Sequence, residues 1–342
     1  MPGPGNEGRP RSGRPPLTKA PRFAAIDVGS NTIHLLVASC APHRLPIPVL
    51  RRREFVQLGR DVQAVGAIGP QRLEFASRTL RAQVDAARRA GATSIAIGAT
   101  QALRSASNGP EIAERLTAAV EAGPVRILPP GVEAQLAFDG ATMTISPGRA
   151  TLVLDIGGAS AQIIWGLAGG FCRHSSLPLG SGSIAGLARS DPPTEEEWRA
   201  MERRVGQLIP DLVPLSLQPV ALGIGGTITN LPRLLGKRRG AVLRLRDVEV
   251  SIETFRERPV TDLAERFAVD LERVRLCRGG ALILAQMMDL LQLRTIRSSE
   301  RGLRDGMIAA LLGRGEAWWQ LPESDGDGAV AEARTELAAL FG

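Results

Sequence analysis

From Phe23 to about Leu312 the chain alternates short apolar runs with longer stretches of helical spacing. The first run, FAAIDVGSNTIHLLVA (Phe23–Ala38), reads as two apolar strands around a small polar turn, with Asp27 near the end of the first strand. A further strand is expected near Glu54–Leu58. A helix is expected from Gln71 to Ala90, where Leu73, Ala76, Leu80, Val84 and Ala87 recur at helical spacing and Gly91 supplies the stop. TSIAIGAT (Thr93–Thr100) reads as a strand, about Pro110–Ala122 as a helix, Val125–Leu128 as a strand, and VEAQLAFDGATM as a helix. Later, Thr194 and Glu197 form a capping box opening a helix to Ile209. VALGIGG (Val220–Gly226) reads as a strand with a helix from Thr227, and SIETFRERPVTDLAERFAVDLERVRL as a helical connector.

A second strand pair, TLVLDIGGASAQIIWG (Thr151–Gly166), answers the first. With Asp27 set on Asp155, 128 positions apart (155 − 27), Gly29 meets Gly157, Ser30 meets Gly158, Thr32 meets Ser160 and Leu35 meets Ile163. The strands and helices that follow repeat coarsely too, which points to a duplicated α/β unit with a mixed sheet in each half. Two such halves facing each other make a cleft that both Asp-Gly hairpins can line.

Composition narrows the partners. The chain has 342 residues, a length that suits two ordinary domains. Tyrosine is absent and aromatics are scarce, which argues against a nucleic-acid partner bound by base stacking. Cys40, Cys172 and Cys277 are widely spaced, which fits a reducing cytosol and neither a disulfide framework nor a zinc site. The apolar runs are too short for a membrane span. The net charge is +7. Residues 1–21 read as a disordered, Pro/Gly-rich basic tail, and residues 313–342 as an acidic, flexible tail. With Arg22 counted in the first, their charges cancel (+4 and −4), so the folded body is basic and favours a polyanion.

Three glycine-rich turns follow apolar strands: DVGSNT, DIGGAS and GIGGTITN. Glycines let backbone N–H groups approach an anion, and Ser or Thr adds a hydroxyl donor. Gly225, Gly226 and Thr227 open a helix, whose N-terminus adds partial positive charge. Asp27 and Asp155 suit a hard cation such as Mg²⁺. Any one of these turns alone is equally an ordinary hairpin; three together point to phosphate chemistry.

The combination resembles the duplicated, RNase H-like ASKHA superfamily and, within it, the Ppx/GppA phosphatases: exopolyphosphatases and guanosine pentaphosphate phosphohydrolases. AAIDVGSNTIHLLVA is similar to that family's first phosphate hairpin, His34 included. GATQALRSASNG is similar to the segment whose Arg and Asn face phosphate, here Arg104 and Asn108. LDIGGAS resembles the second hairpin, LPLGSGSI and GIGGTITN two further blocks, and GGALILAQMMDLLQLRTIRSSERGLRDGMI the closing helix, strand and helix. The resemblance implies two RNase H-like domains, 22–133 and 134–312, around an interdomain cleft, the last helix packing back on the first domain. It assigns Glu133, in Glu133-Ala134-Gln135-Leu136, as the residue that places the attacking water. It implies phosphate contacts from Gly29, Ser30, Asn31, Thr32, Arg104, Asn108, Gly157, Gly158, Ser160, Gly225, Gly226 and Thr227. Mg²⁺, with Mn²⁺ as an alternative, would be held near Asp155, Asp27 and Gln162. The implied activity is release of terminal phosphate from polyphosphate, or conversion of pppGpp to ppGpp, by a cytoplasmic enzyme, in a family that often forms homodimers. Long members carry an additional helical C-terminal domain, for which this chain is too short; shorter substrates are the expectation.

Three departures bear on that expectation. Gln135 stands where the family has Arg, Ala159 where it has Gly, and Gln162 where it has a metal-holding Glu. They motivate a second reading, a regulator that binds polyphosphate or pppGpp with little turnover; a kinase of the same superfamily is a third. On their residue types alone, His34 reads as a structural histidine and Lys237–Arg239 as a basic loop; Arg301 and Arg304 read as a solvated helix pair, with contact to the cleft or a neighbouring acid as the alternative. Ser181 and Ser183 read equally as phosphate contacts or loop residues. Arg273 is left between substrate and solvent, and Trp318–Trp319 would dock the tail.

Overall fold

The sequence repeat is a repeat of strand order in the computed structural model, which describes residues 20–170, 172–209 and 219–321. β1 (Arg22–Val28), β2 (Thr32–Ser39) and β3 (Ile47–Phe55) form an antiparallel meander. After helices α1 (Leu58–Val65) and α2 (Pro70–Arg89), β4 (Ala92–Ala99) lies parallel to β1. After α3 (Gln101–Ser105) and α4 (Gly109–Ala118), β5 (Val125–Ile127) joins parallel to β4, giving the order β3-β2-β1-β4-β5. Helix α5 (Pro130–Thr142) leads into the second unit.

There the meander is β6 (Ala150–Ile156), β7 (Ala161–Leu167) and β8 (Cys172–Leu177). It is followed by α6 (Ser181–Ala185), α7 (Glu195–Leu208), β9 (Val220–Ile224) and α8 (Gly225–Leu234). Next come β10 (Val242–Arg244), α9 (Leu245–Glu257), α10 (Val260–Phe267), α11 (Leu271–Leu290), β11 (Thr295–Ser298) and α12 (Leu303–Arg314). The sheet order is β10-β11-β9-β6-β7-β8, with β9 parallel to β6 and β11 parallel to β9. This is the first sheet's order with β10 added at the edge. The register repeats as well: Asp27 pairs with His34 across the first hairpin, and Asp155 with Gln162 across the second.

Period-two alternation explains how each strand serves two layers. In β1, Ala24, Ile26 and Val28 pack against Leu73, Leu80 and Val84 of α2. Ala25 points the other way, onto Met307, Ile308 and Leu311 of α12. In β6, Leu152, Leu154 and Ile156 join the core with Ile283, Leu284 and Met287 of α11, while Val153 faces Phe138 of α5. The helix that leaves the first sheet therefore covers the second, and the final helix of the second unit covers the first. Asp27 and Asp155 share the faces of Ala25 and Val153, so both carboxylates point between the units.

Where α5 and α12 cross, no side chain fits. A methyl on Gly306 would land on the Leu136 carbonyl oxygen, and one on Gly140 on the Gly302 carbonyl oxygen.

Several elements differ from the sequence expectation. The strand expected at Glu54–Leu58 ends at Phe55, because Val56 N–H and Gln57 N–H both donate to the Asn31 carbonyl and turn the chain into α1. The Thr194–Glu197 capping box forms as expected. Residues 313–321 are not a free tail: α12 runs to Arg314, Trp318 is buried against the first sheet, and Arg126 stacks over Trp319 at 4.7 Å. Burial of indole surface outweighs the acidic composition there. Of the two expected tails, residues 1–19 and 322–342 lie outside the described residues. Among the described residues, no helix is long and apolar enough to cross a membrane.

Gly306→Ala is expected to lower unfolding stability by about 2–4 kcal/mol, since backbone and not a flexible side chain blocks the new methyl. Urea denaturation checks this; Gly313→Ala, whose Cβ would meet open space, serves as the control.

Candidate active site

Between the two units lies a cavity of ≈ 510 Å³. Its head is built by the two hairpin turns, which share one geometry: Gly29 N–H donates to the Thr32 carbonyl (3.0 Å), and Gly157 N–H to the Ser160 carbonyl (2.9 Å). Gly29, Ser30, Asn31, Thr32, Gly157, Gly158 and Ser160 all line the cavity. The turns nearly touch, the Asn31 side chain lying flat against Gly158, where a methyl would displace it. The third turn opens α8 into the same space through Gly225, Gly226 and Thr227. Gly225 has φ +90° and a Cβ there would run into the Ile156 carbonyl, so the turn admits no other residue without strain.

Asp27 and Asp155 enter from adjacent strand ends, and Glu133 from the first turn of α5. Burial is the largest influence on all three. It raises Asp27 to about 7, opposed by the Arg304 cation and reinforced by Glu133. It raises Asp155 to about 7, reinforced by the charges of Glu133 and Asp27. It raises Glu133 as well, against the pull of Arg104. The three half-buried carboxylates crowd negative charge at the head, and Asp27 and Asp155 offer the hard oxygen donors that a divalent ion prefers. Gln162 adds to them. Cross-strand from Asp155, its buried Oε1 has no hydrogen-bond partner among the described residues, although the side chain is not part of the cavity wall.

Below the head the cavity is cationic: eight arginines and five carboxylates line it. Arg51, Arg52 and Arg53 come from the edge strand β3, and Arg233, Arg239 and Arg273 from the second unit. Arg273 is buried, its Nε unpartnered, and it lies 6.0 Å from the Phe55 ring. Burial, then the neighbouring Arg53, lowers it to about 10. Arg301 and Arg304 are not solvated. Arg301 donates to the Pro46 carbonyl (3.1 Å) and to Asp305 (3.2 Å), and Arg304 faces Asp27 and Asp155. His34 also lines the cavity; burial and then Arg304, Arg273 and Arg53 push it well below the usual range, so it is neutral.

Other residues singled out in the sequence fall elsewhere. Arg104 is outside the cavity wall, in a 2.6 Å ion pair with Glu133. Asn108 is also outside, clamping both the N–H and the carbonyl of Ile68 (3.0 and 2.9 Å). Ser181 lines the cavity and donates to the Gly157 carbonyl, whereas Ser183 caps α6. Gln135 is a satisfied buried amide that bonds Asp139 one turn on and ties α5 to Gly170 and Cys172. Ala159 is absent from the positive-φ residues, so its methyl carries no conformational cost. Arg304 and Arg273 gave no local sign in the sequence; each reaches the cavity only because a distant helix delivers it.

Asp155→Asn is expected to stabilise the metal-free protein at pH 8 by roughly 1–3 kcal/mol. The folded carboxyl titrates above its unfolded value of 3.8. Its favourable, protonated contribution is therefore complete below about pH 4 and lost as pH rises through about 7. The stabilisation by Asn should vanish below pH 4, which a melting series across pH measures.

A sequence profile of the Ppx/GppA phosphatase family matches residues 36–314. Exopolyphosphatase 2 of Mycobacterium tuberculosis is 32% identical over 232 residues, covering 62% of this chain and 70% of that protein. An uncharacterized protein of Streptomyces coelicolor is 27% identical over 317 residues, 87% of this chain and 92% of its own length. The solved Ppx/GppA enzyme of Aquifex aeolicus aligns with a TM-score of 0.69 at 26% identity, over 85% of this chain and 99% of that one. An exopolyphosphatase structure from Cytophaga hutchinsonii shares the fold at 23% identity, with a TM-score of 0.73 over 85% and 98% of the two chains. With its two actin-like α/β units and a match along most of its length, the chain belongs to the Ppx/GppA phosphatase family.

Proposed function

We propose that the chain removes a terminal phosphoryl group from a linear phosphoanhydride, either inorganic polyphosphate or the 5′-triphosphate of guanosine pentaphosphate. The observation that carries this reading is the joining of three half-buried carboxylates and three glycine-rich turns at the head of a cavity walled by arginine. A chain of phosphates is the ligand whose charge matches the walls and whose end matches the head.

The terminal phosphoryl group would lie between the two hairpin turns, its oxygens taking N–H and hydroxyl donors from Gly29–Thr32, Gly157–Ser160 and the N-terminus of α8. Glu133 would orient a water in line with phosphorus and accept its proton. Arg304 would offset charge beside Asp27 and Asp155. The oxygens of those two carboxylates, with the unpartnered Gln162 Oε1 behind Asp155, fit a hard divalent ion such as Mg²⁺. Such an ion would supply positive charge to phosphate oxygens; water and substrate would complete its shell, since no cluster of three or more His, Cys, Asp or Glu suited to a metal occurs among the described residues.

Gln162 favours one alternative. As a neutral amide beside Asp155 it brings no charge to the ion, which weakens metal affinity and suits a protein that binds its polyanion with little turnover.

Phosphate release from tripolyphosphate and from pppGpp, with and without Mg²⁺, separates the readings. Hydrolysis predicts Mg²⁺-dependent release that Glu133→Gln lowers roughly a hundred- to ten-thousand-fold. Tight binding of either compound with no release by the intact protein would establish the regulator instead.

A further inference from the structure

We infer that Arg104 is a positioning residue that acts through Glu133 and does not itself bind the phosphate chain. The inference rests on the hydrolase reading above, and it departs from the phosphate-ligand role that the sequence resemblance implies for this arginine.

The guanidinium is already engaged. Nη1 donates to the Leu128 carbonyl and to Glu133 Oε2, both at 2.6 Å, and Nη2 donates to Gln101 Oε1 at 2.9 Å. Gln101 is held in turn, its Nε2 donating to Ser105 Oγ at 2.8 Å. Ser105, Gln101, Arg104 and Glu133 thus form one hydrogen-bonded series running off the short helix α3. Gln101 and Glu133 line the cavity, whereas Arg104 does not. Its side chain is 14% exposed, behind the carboxylate it holds. Two of the arginines that do line the cavity differ from it: Arg273 and Arg304 each keep a buried Nε with no partner among the described residues.

A glutamate at a helix N-terminus has three free torsions, and burial favours its neutral form. An arginine bonded to one carboxylate oxygen answers both problems. It fixes the rotamer, and it favours the ionised state that accepts a proton. Oε2 is taken, so Oε1 is the oxygen left for water. The Leu128 carbonyl, at the end of β5, and Gln101, just after β4, fix the guanidinium plane from two strand ends, so the carboxylate is referenced to the first sheet and not to the mobile substrate.

The test compares tripolyphosphate hydrolysis by wild type, Arg104→Gln, Arg104→Lys, Glu133→Gln and the double variant Arg104→Gln/Glu133→Gln. It adds calorimetric binding of tripolyphosphate to the two variants that carry Glu133→Gln. A positioning role predicts that Arg104→Gln lowers kcat about ten- to a hundredfold while KM moves less than about threefold. Arg104→Lys should recover part of that loss. The double variant should be no slower than Glu133→Gln alone, and should bind tripolyphosphate within about threefold of it. A phosphate ligand predicts the opposite: a rise of tenfold or more in KM, and equally weakened binding in the Glu133→Gln background. That result would overturn the inference. Misfolding of Arg104→Gln is separated by the double variant, which carries no unpaired buried carboxylate. If the wild type releases no phosphate, the hydrolase reading fails by itself; the binding comparison then still decides, weakened binding assigning Arg104 to the ligand and unchanged binding excluding it.

Discussion

Asp27, Asp155 and Glu133 repel one another across the head of a half-enclosed cavity, and much of the surrounding structure answers that repulsion. Arg104 takes one oxygen of Glu133. Arg304, delivered by the last helix, stands against the two aspartates. The arginines farther down the cavity do not relieve the head directly, and they repel one another: after burial, Arg53 weakens the hold of Arg273 on its proton, and Arg239 and Arg233 weaken that of Arg53. An empty cleft is therefore poorly balanced at both ends, acids at the head and cations along the walls. A ligand that brings a divalent cation to one and a chain of phosphates to the other satisfies both at once. The site resembles two half-neutralised surfaces more than a finished binding pocket, and that incompleteness is what the proposed metal-bound polyanion would complete.

The mechanical frame comes from two helices that change partners. α5 grows out of the first sheet and lies under the second; α12 grows out of the second and lies under the first. At their crossing, Gly140 and Gly306 let backbone meet backbone, so the axis has no side chains to rearrange. Each helix carries a site residue close to this axis, Glu133 at the start of α5 and Arg304 at the start of α12. A small rotation about the crossing would move these two residues little, while it opened or closed the arginine-lined outer cleft around Arg51 and Arg239.

Much of this was legible in the sequence. The paired hairpins announced a duplication because an acid and a glycine two positions on, after an apolar strand, are a local feature, and the strand register followed from alternation. The strand-helix order after β3 was legible for the same reason. What local pattern could not carry was the wall of the cleft. Arg273 sits in a helix whose charges look solvated, and Arg304 in one whose charges look like an exposed pair. Their burial depends on which helix end the topology sends to the cavity. Arg104 shows the reverse limit: a short motif placed it close to the chemistry, but the motif could not distinguish a cation that touches phosphate from one already bound to a carboxylate. Gln135 and Ala159 looked like losses because family pattern was the only measure; in the structure one is a satisfied buried amide and the other an unstrained turn residue.

The return of α12 to the first sheet has a consequence for how the protein is made. Translation delivers β1 through β5 early, and their α2 face can pack at once. The opposite face, with Ala25, Leu36, Ala38 and Ala96, receives its cover from Met307, Ile308 and Leu311, near the end of the described chain. Val132 and Leu136 of α5 cover part of that face soon after the sheet itself. The rest must wait for α12, so this sheet completes its second side only through contacts of very long sequence separation, the kind that form slowly.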